Sequence, residues 1–186
     1  MIQKSAPLIL LMVLLAGSAV AQTDAKTGFG GDFALTDQDG KTFRLSDHHG
    51  QVVLLFFGYT SCTEACPIIL LRVNSVFKQL GPDRDKALAV FVSVDPQRDT
   101  PQVLREYVKY FSAHAIALTG KKEEIDIVVK QYGARYEIEK SDSALGYHIS
   151  HTTDIYLIDS SGALQSHFDH KESATQIAES VKRLLR

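Results

Sequence analysis

The chain has 186 residues, 45% of them hydrophobic, with a formal net charge of −2 and only two cysteines. That length suits one domain with its own core. No Lys/Arg cluster is denser than the pair Lys121-Lys122, so the basic footprint of a nucleic-acid binder is missing, and no internal repeat points to an array.

In chain order, residues 1–21 read as a signal peptide: Lys4 gives a positive start, Leu8–Ala16 is almost wholly apolar, and Ala19-Val20-Ala21 is a small-residue cleavage site. No cysteine lies near that site, which excludes a lipid anchor of the bacterial lipoprotein kind. The apolar stretch Pro7–Ala21 falls short of the roughly 20 residues a spanning helix needs. The expectation is therefore an exported, periplasmic protein, membrane-tethered only if residues 1–21 are kept. Residues 22–31 are polar and Gly-rich and read as a flexible lead, and residues 32–186 as the folded domain.

Asp32–Leu45 alternates around Asp39-Gly40, a hairpin signal. Asp37-x-Asp39-Gly40 lacks the later Glu of a calcium loop, so turn chemistry is the reading. Val52–Phe57 is a continuous apolar run, as a central strand buried on both faces requires. Pro67 can start a helix over Ile68–Leu80, which Gly81-Pro82 stops. Ala87–Val94 reads as a second buried strand ended by Asp95-Pro96. Thr100 reads as an N-cap with Pro101 at the first helical position, opening a helix to about Phe111. Ile116–Leu118 gives a short strand and Thr119–Gln131 a helix. Asp154–Ile158 and Ala163–Phe168 form a hairpin around Asp159-Ser160-Ser161-Gly162, and Glu172–Leu185 is a closing amphipathic helix. The sum is an α/β sandwich with a mixed central sheet.

Cys62 and Cys66 lie between the first long strand and its helix. A helix N-terminus favours negative charge, so one or both thiols should be acidified. A disulfide closing so small a ring stabilises little, so the pair reads as a redox or metal site rather than a structural bridge. A cysteine pair at this place is the thioredoxin arrangement, with three departures. The spacing is C-x-x-x-C, the chain contains no Trp, and no Pro follows Pro101, so the cis-proline opposite the dithiol is missing. The approach to the last hairpin holds His148 and His151 instead, and His151 is nearer the position facing the thiols. Two thiolates and one imidazole suit copper: sulfur selects Cu(I), while the nitrogen lets the site hold Cu(II). A structural zinc site would offer four protein ligands. Asp95, Arg98 and Asp99 read as structural, capping the Thr100 helix and pairing locally. His48-His49 and His167-x-x-His170 read as solvated surface residues.

Three blocks at fixed order carry a family resemblance: Phe57-Gly58-Tyr59-Thr60-x-Cys62-x-x-x-Cys66-Pro67, Ser93-Val94-Asp95-Pro96-x-Arg98-Asp99-Thr100-Pro101, and His151 followed by Ile155-Tyr156-Leu157-Ile158-Asp159. From about Gly31 to Leu185 the chain resembles the Sco/SenC (PrrC-like) copper chaperones. The resemblance implies a thioredoxin-like fold with an N-terminal hairpin addition, and copper bound by Cys62, Cys66 and His151. It also implies a role in building the binuclear copper centre of cytochrome c oxidase, with that enzyme's copper-receiving subunit, other copper carriers or thiol reductants as partners. Two departures from the family pattern involve three residues: Thr63 and Glu64 stand where Pro and Asp usually follow the first cysteine, and Ser150 stands where Asp usually precedes the histidine. The leading reading is an assembly factor rather than an enzyme in the usual sense. The alternative is a thiol-disulfide oxidoreductase, in which Cys62 and Cys66 form a redox-active disulfide and keep oxidase cysteines reduced. A thioredoxin-fold peroxidase is disfavoured, because its pattern requires Pro and Ser or Thr where Leu55 and Tyr59 stand.

Overall fold

β3 (Val52–Gly58) is buried at all seven positions, as its unbroken apolar sequence requires of a strand covered on both faces. The computed structural model describes residues 28–111, 115–142, 146–169 and 171–186. The expected signal and most of the expected lead lie outside the described residues, as do His114 and His170. β4 (Ala87–Ser93) and β5 (Ala115–Thr119) lie parallel to β3 on one side, joined by crossover helices α1 (Ala65–Leu80) and α2 (Pro101–Phe111). Parallel neighbours need such crossovers, since a tight turn cannot return the chain to the same edge.

On the other side of β3 run β8 (Ile155–Ile158) and β9 (Leu164–Phe168), both antiparallel to their neighbours. The hairpin of β1 (Ala34–Asp37) and β2 (Thr42–Arg44) extends the far edge beyond β5, giving a seven-stranded mixed sheet ordered β2-β1-β5-β4-β3-β8-β9. Alternate β3 residues point to opposite faces. Leu54 and Phe56 pack among α1, α2 and α4 (Ala174–Leu184), through residues such as Leu70, Leu104 and Ile177. Leu55 and Phe57 face α3 (Lys122–Gln131) and the N-terminal hairpin, through Val128, Phe43 and Leu45. This is the thioredoxin-like α/β layering expected, with the hairpin addition in place.

Local chemistry explains most boundaries. Asp37 Oδ1 accepts the amides of Asp39 and Lys41 at 2.8 Å, and Gly40 takes φ +75°, so this motif is a turn and not a cation loop. Thr100 Oγ1 accepts the Val103 amide and Pro101 opens α2. The closing helix begins at Ala174, two residues after the expected Glu172, and two other helix starts move by three residues each. α1 begins at Ala65, not after Pro67, because the proline sits at the third position, still in the turn whose amides need no helical acceptor. α3 begins at Lys122 rather than Thr119, because Thr119 pairs with Thr36 and stays in the sheet, and Glu124 then accepts the Lys121 amide to cap the helix.

The sequence reading assigns no strands between α3 and the last hairpin. The structure places there a separate two-stranded ribbon, β6 (Tyr136–Lys140) paired antiparallel with β7 (Tyr147–His151). Among the described residues no helix is long and apolar enough to cross a membrane.

Candidate metal centre

At Gly58 the chain leaves the sheet beside the end of β4, with which it is in register at Ser93. A side chain at position 58 would put its Cβ 2.5 Å from the Cys66 sulfur and 2.9 Å from the Phe91 ring. Glycine is therefore demanded by close approach. The Tyr59–Cys62 turn follows, with the Cys62 amide donating to the Tyr59 carbonyl at 3.2 Å. Cys62 is half-buried, whereas Cys66 is 1% exposed in the first turn of α1. Both thiols are free.

His151 comes from the end of β7. Its Nε2 lies 3.5 Å from the Cys66 sulfur, and its Nδ1 lies 2.9 Å from the Thr152 carbonyl. A carbonyl oxygen only accepts, so Nδ1 carries a proton towards it, and Nε2 is the ring nitrogen that faces the sulfurs. The Tyr59 ring meets the imidazole edge-on at 5.8 Å. The donor atoms of Cys62, Cys66 and His151 all lie within 4.8 Å of one another. Two metal–sulfur bonds of about 2.3 Å opened to about 120° span about 4 Å, so one ion fits with small adjustments.

The two thiols are electrostatically unlike. A hydrogen bond from Cys66 lowers the Cys62 pKa well below the usual thiol value, against the opposing effect of burial, with further help from His151 and the amides of Cys66 and Glu64. Cys66 is pushed far above it by holding that shared proton, by burial and by the Cys62 charge. No side chain caps α1, so the Cys62 thiolate takes over part of that duty for the exposed amides.

Asp99 is fully buried and accepts from the Thr60 amide at 2.9 Å, the Thr60 hydroxyl at 2.6 Å and the Ser93 hydroxyl at 2.6 Å. It braces the cysteine loop rather than capping α2, a correction to the expected role; burial raises its pKa despite these donors. Asp95 and Arg98 pair locally, as expected.

Among the described residues, Cys62, Cys66 and His151 are the one group of three such donors that converges. Three other described histidines have separate partners. His48 stacks on Phe43 and bonds Gln51, His148 meets Glu139 at 3.1 Å, and His167 meets Asp154 at 2.8 Å. Ser150 is exposed, opposite Glu137 across the ribbon. Sequence reasoning missed Tyr59 and the bracing role of Asp99. The adjoining Tyr59-Thr60 and the aspartate-rich 95–99 segment were the available signals.

The SCO1/SenC family model matches residues 21–186. An SCO2-like protein of Rickettsia felis is 36% identical over 154 residues, covering 82% of this chain and 75% of that protein. Among solved structures, copper-bound ScoI of Bradyrhizobium japonicum superposes with a TM-score of 0.77 at 38% identity, covering 84% of this chain and 99% of that one. Copper-bound ScoI of Arabidopsis thaliana gives 0.79 at 30% identity, covering 85% and 98%.

The thiol asymmetry has a direct readout. At pH 6 an ordinary thiol of pKa about 8.5 is almost wholly protonated and reacts slowly with iodoacetamide. Reduced protein should be alkylated at Cys62 at that pH while Cys66 stays unmodified until the protein unfolds, as peptide mass analysis would show. Because its pKa is lowered on folding, Cys62 stabilises the fold above the unfolded thiol's pKa, and that contribution is lost as pH falls towards the folded value. Equal labelling of both cysteines at pH 6 would contradict the assignment.

Proposed function

The chain belongs to the SCO1/SenC family, and from that premise we propose that it binds copper and delivers it to the binuclear copper centre of cytochrome c oxidase. The observation that carries this reading is the convergence of Cys62, Cys66 and His151 from two separate parts of the fold. Copper-bound relatives at 38% and 30% identity support it. In this reading copper is the cargo. Cys62 and Cys66 hold Cu(I) as soft donors, and His151 Nε2 adds the nitrogen that favours Cu(II). The partner is the copper-receiving oxidase subunit, with other copper carriers or thiol reductants upstream.

A specific observation favours a second activity of the same pair: one acidic thiol beside one protonated thiol is also suited to disulfide exchange. Transfer of two electrons to a disulfide of a partner protein, with loss of the one proton that Cys66 holds, joins Cys62 and Cys66 as a disulfide that has no thiolate to offer, so copper binding and disulfide formation exclude one another. In this reading the work is done outside the cytoplasmic membrane after export directed by residues 1–21, which the charged start at Lys4, the apolar Leu8–Ala16 and the small-residue Ala19-Val20-Ala21 support.

For export, intact-mass measurement of protein from its native host should find a mature chain beginning near Gln22. Retention of residues 1–21 in a membrane fraction would favour a tether instead.

Reduced protein should bind one copper and the disulfide form little or none. Cys62→Ser or Cys66→Ser should lower Cu(I) affinity more than His151→Ala, which should chiefly impair Cu(II) binding, measured by chelator competition. Full copper occupancy in the double cysteine variant would refute the ligand assignment.

Delivery separates from reduction at His151, which thiol exchange does not need. A strain lacking this protein and complemented with His151→Ala should fail to assemble the oxidase copper centre at low copper supply, while the dithiol retains much of its redox activity. Normal oxidase activity in that strain would instead promote the reductase reading.

A further inference from the structure

The three donors rest on two bodies with different attachments. Cys62 and Cys66 follow β3, the buried middle of the main sheet, whereas His151 ends a ribbon that shares no ladder with that sheet. The distance between imidazole and sulfurs is therefore set by whatever side chains seat β7 against the domain.

Residues two apart in a strand share a face, so Tyr147, Ile149 and His151 line one side of β7 and His148 and Ser150 the other, exposed one. Each residue of the first set is held. Arg98 Cζ lies 3.7 Å from the centroid of the Tyr147 ring, and Arg98 Nη1 donates to the Tyr147 carbonyl at 3.2 Å. Arg98 Nε pairs with Asp95, whose other oxygen accepts the Tyr147 hydroxyl at 2.8 Å. Ile149 is 3% exposed and its amide donates to the Tyr59 hydroxyl at 3.2 Å. Arg98 also lies 5.6 Å from the Tyr59 ring centroid, and that ring abuts His151. One guanidinium thus contacts the first residue of β7 and the ring that touches the last.

We propose that Arg98 is a positioning residue for the metal site: it holds β7 in the register against Asp95 and Tyr59 that brings His151 Nε2 onto the thiolate pair. This rests on the reading of Cys62, Cys66 and His151 as copper ligands. The planar, forked guanidinium is specific to the task, because it stacks on a ring and donates to a carboxylate and a carbonyl at once. An ammonium of equal charge cannot do both. The contacts of Arg98 described above run to Tyr147, Asp95 and Tyr59, the residues that seat β7, so its influence falls chiefly on the imidazole, while the two sulfurs are carried by α1 and its approach. Its effect should be selective for Cu(II), the state in which the nitrogen ligand matters most.

The test compares wild type, Arg98→Lys, Tyr147→Leu and His151→Ala in copper-loaded full-length protein. The readouts are Cu(II) affinity with the thiolate-to-Cu(II) absorption and electron paramagnetic resonance spectra, Cu(I) affinity by chelator competition, and the thermal midpoint as a control for folding. Loss of a group that orients a ligand lowers metal affinity by roughly 10–100-fold. Arg98→Lys and Tyr147→Leu should each weaken Cu(II) by at least about tenfold and move the spectra towards those of His151→Ala, with Cu(I) affinity held within about threefold. Wild-type Cu(II) spectra and affinity in both variants would overturn the proposal, as would equal losses of Cu(I) and Cu(II), which mark general disruption. If His151→Ala leaves Cu(II) binding unchanged while the cysteines remain essential, the ligand reading itself fails, and the proposal with it.

Discussion

The close approach of β3's last residue to the Cys66 sulfur governs the geometry of everything around it. Gly58 must lack a side chain for α1 to begin where it does, because the sulfur and the Phe91 ring already occupy the space a Cβ would need. With Cys66 fixed there, the four-residue spacing confines Cys62 to the turn between strand and helix. That turn lies at the carboxyl ends of the parallel strands β3 and β4, the end at which open α/β sheets leave a crevice. A buried sulfur on a sheet-anchored helix and a half-buried one on a turn then differ in acidity for structural reasons, and the shared proton amplifies the difference.

Holding the turn in that place demands polar satisfaction where the domain is otherwise apolar. Asp99 is withdrawn from water, and an unpaired carboxylate there would be strongly destabilising. Three donors from Thr60 and Ser93 meet it, tying the cysteine turn to the end of β4. The same segment supplies Asp95 and Arg98, which face β7 instead. One short stretch between β4 and α2 thereby touches both bodies that carry the donor atoms, which explains why its sequence is rich in charge although it contributes no ligand.

How much of this was legible in the sequence follows the physics of each element. β3 and β4 declare themselves by unbroken apolar runs, and α2 by Thr100-Pro101, because burial on two faces and helix capping leave residue-level marks. The cysteine pair was readable as chemistry because so small a ring has no structural use. The ribbon was overlooked: Tyr136-Glu137-Ile138-Glu139 and Tyr147-His148-Ile149-Ser150 do alternate, but Tyr136–Lys140 is half-exposed or exposed throughout and β7 buries only Ile149, so each strand carries too little apolar surface to stand out as half of a buried sheet. The role of Asp99 was hidden for another reason. Its partners lie 39 and 6 residues away, and a helix cap one residue downstream offered a nearer explanation.

Mounting the donors on separate bodies has a consequence that a single rigid cage would not have. Two sulfurs attached to one helix entrance keep their relation to each other whatever the ribbon does, so a state that needs only soft donors can persist while the imidazole withdraws. A state that needs nitrogen requires the ribbon to be seated. In the proposed copper reading the Cys62 thiolate, which the amides at the start of α1 also engage, would divide its lone pairs between helix and metal, and oxidation to a disulfide would release both claims together. Copper retention, copper release and thiol oxidation thus draw on the same few atoms but differ in which body must move. In the proposed reading, that is the physical basis on which one small site would serve both metal delivery and electron exchange.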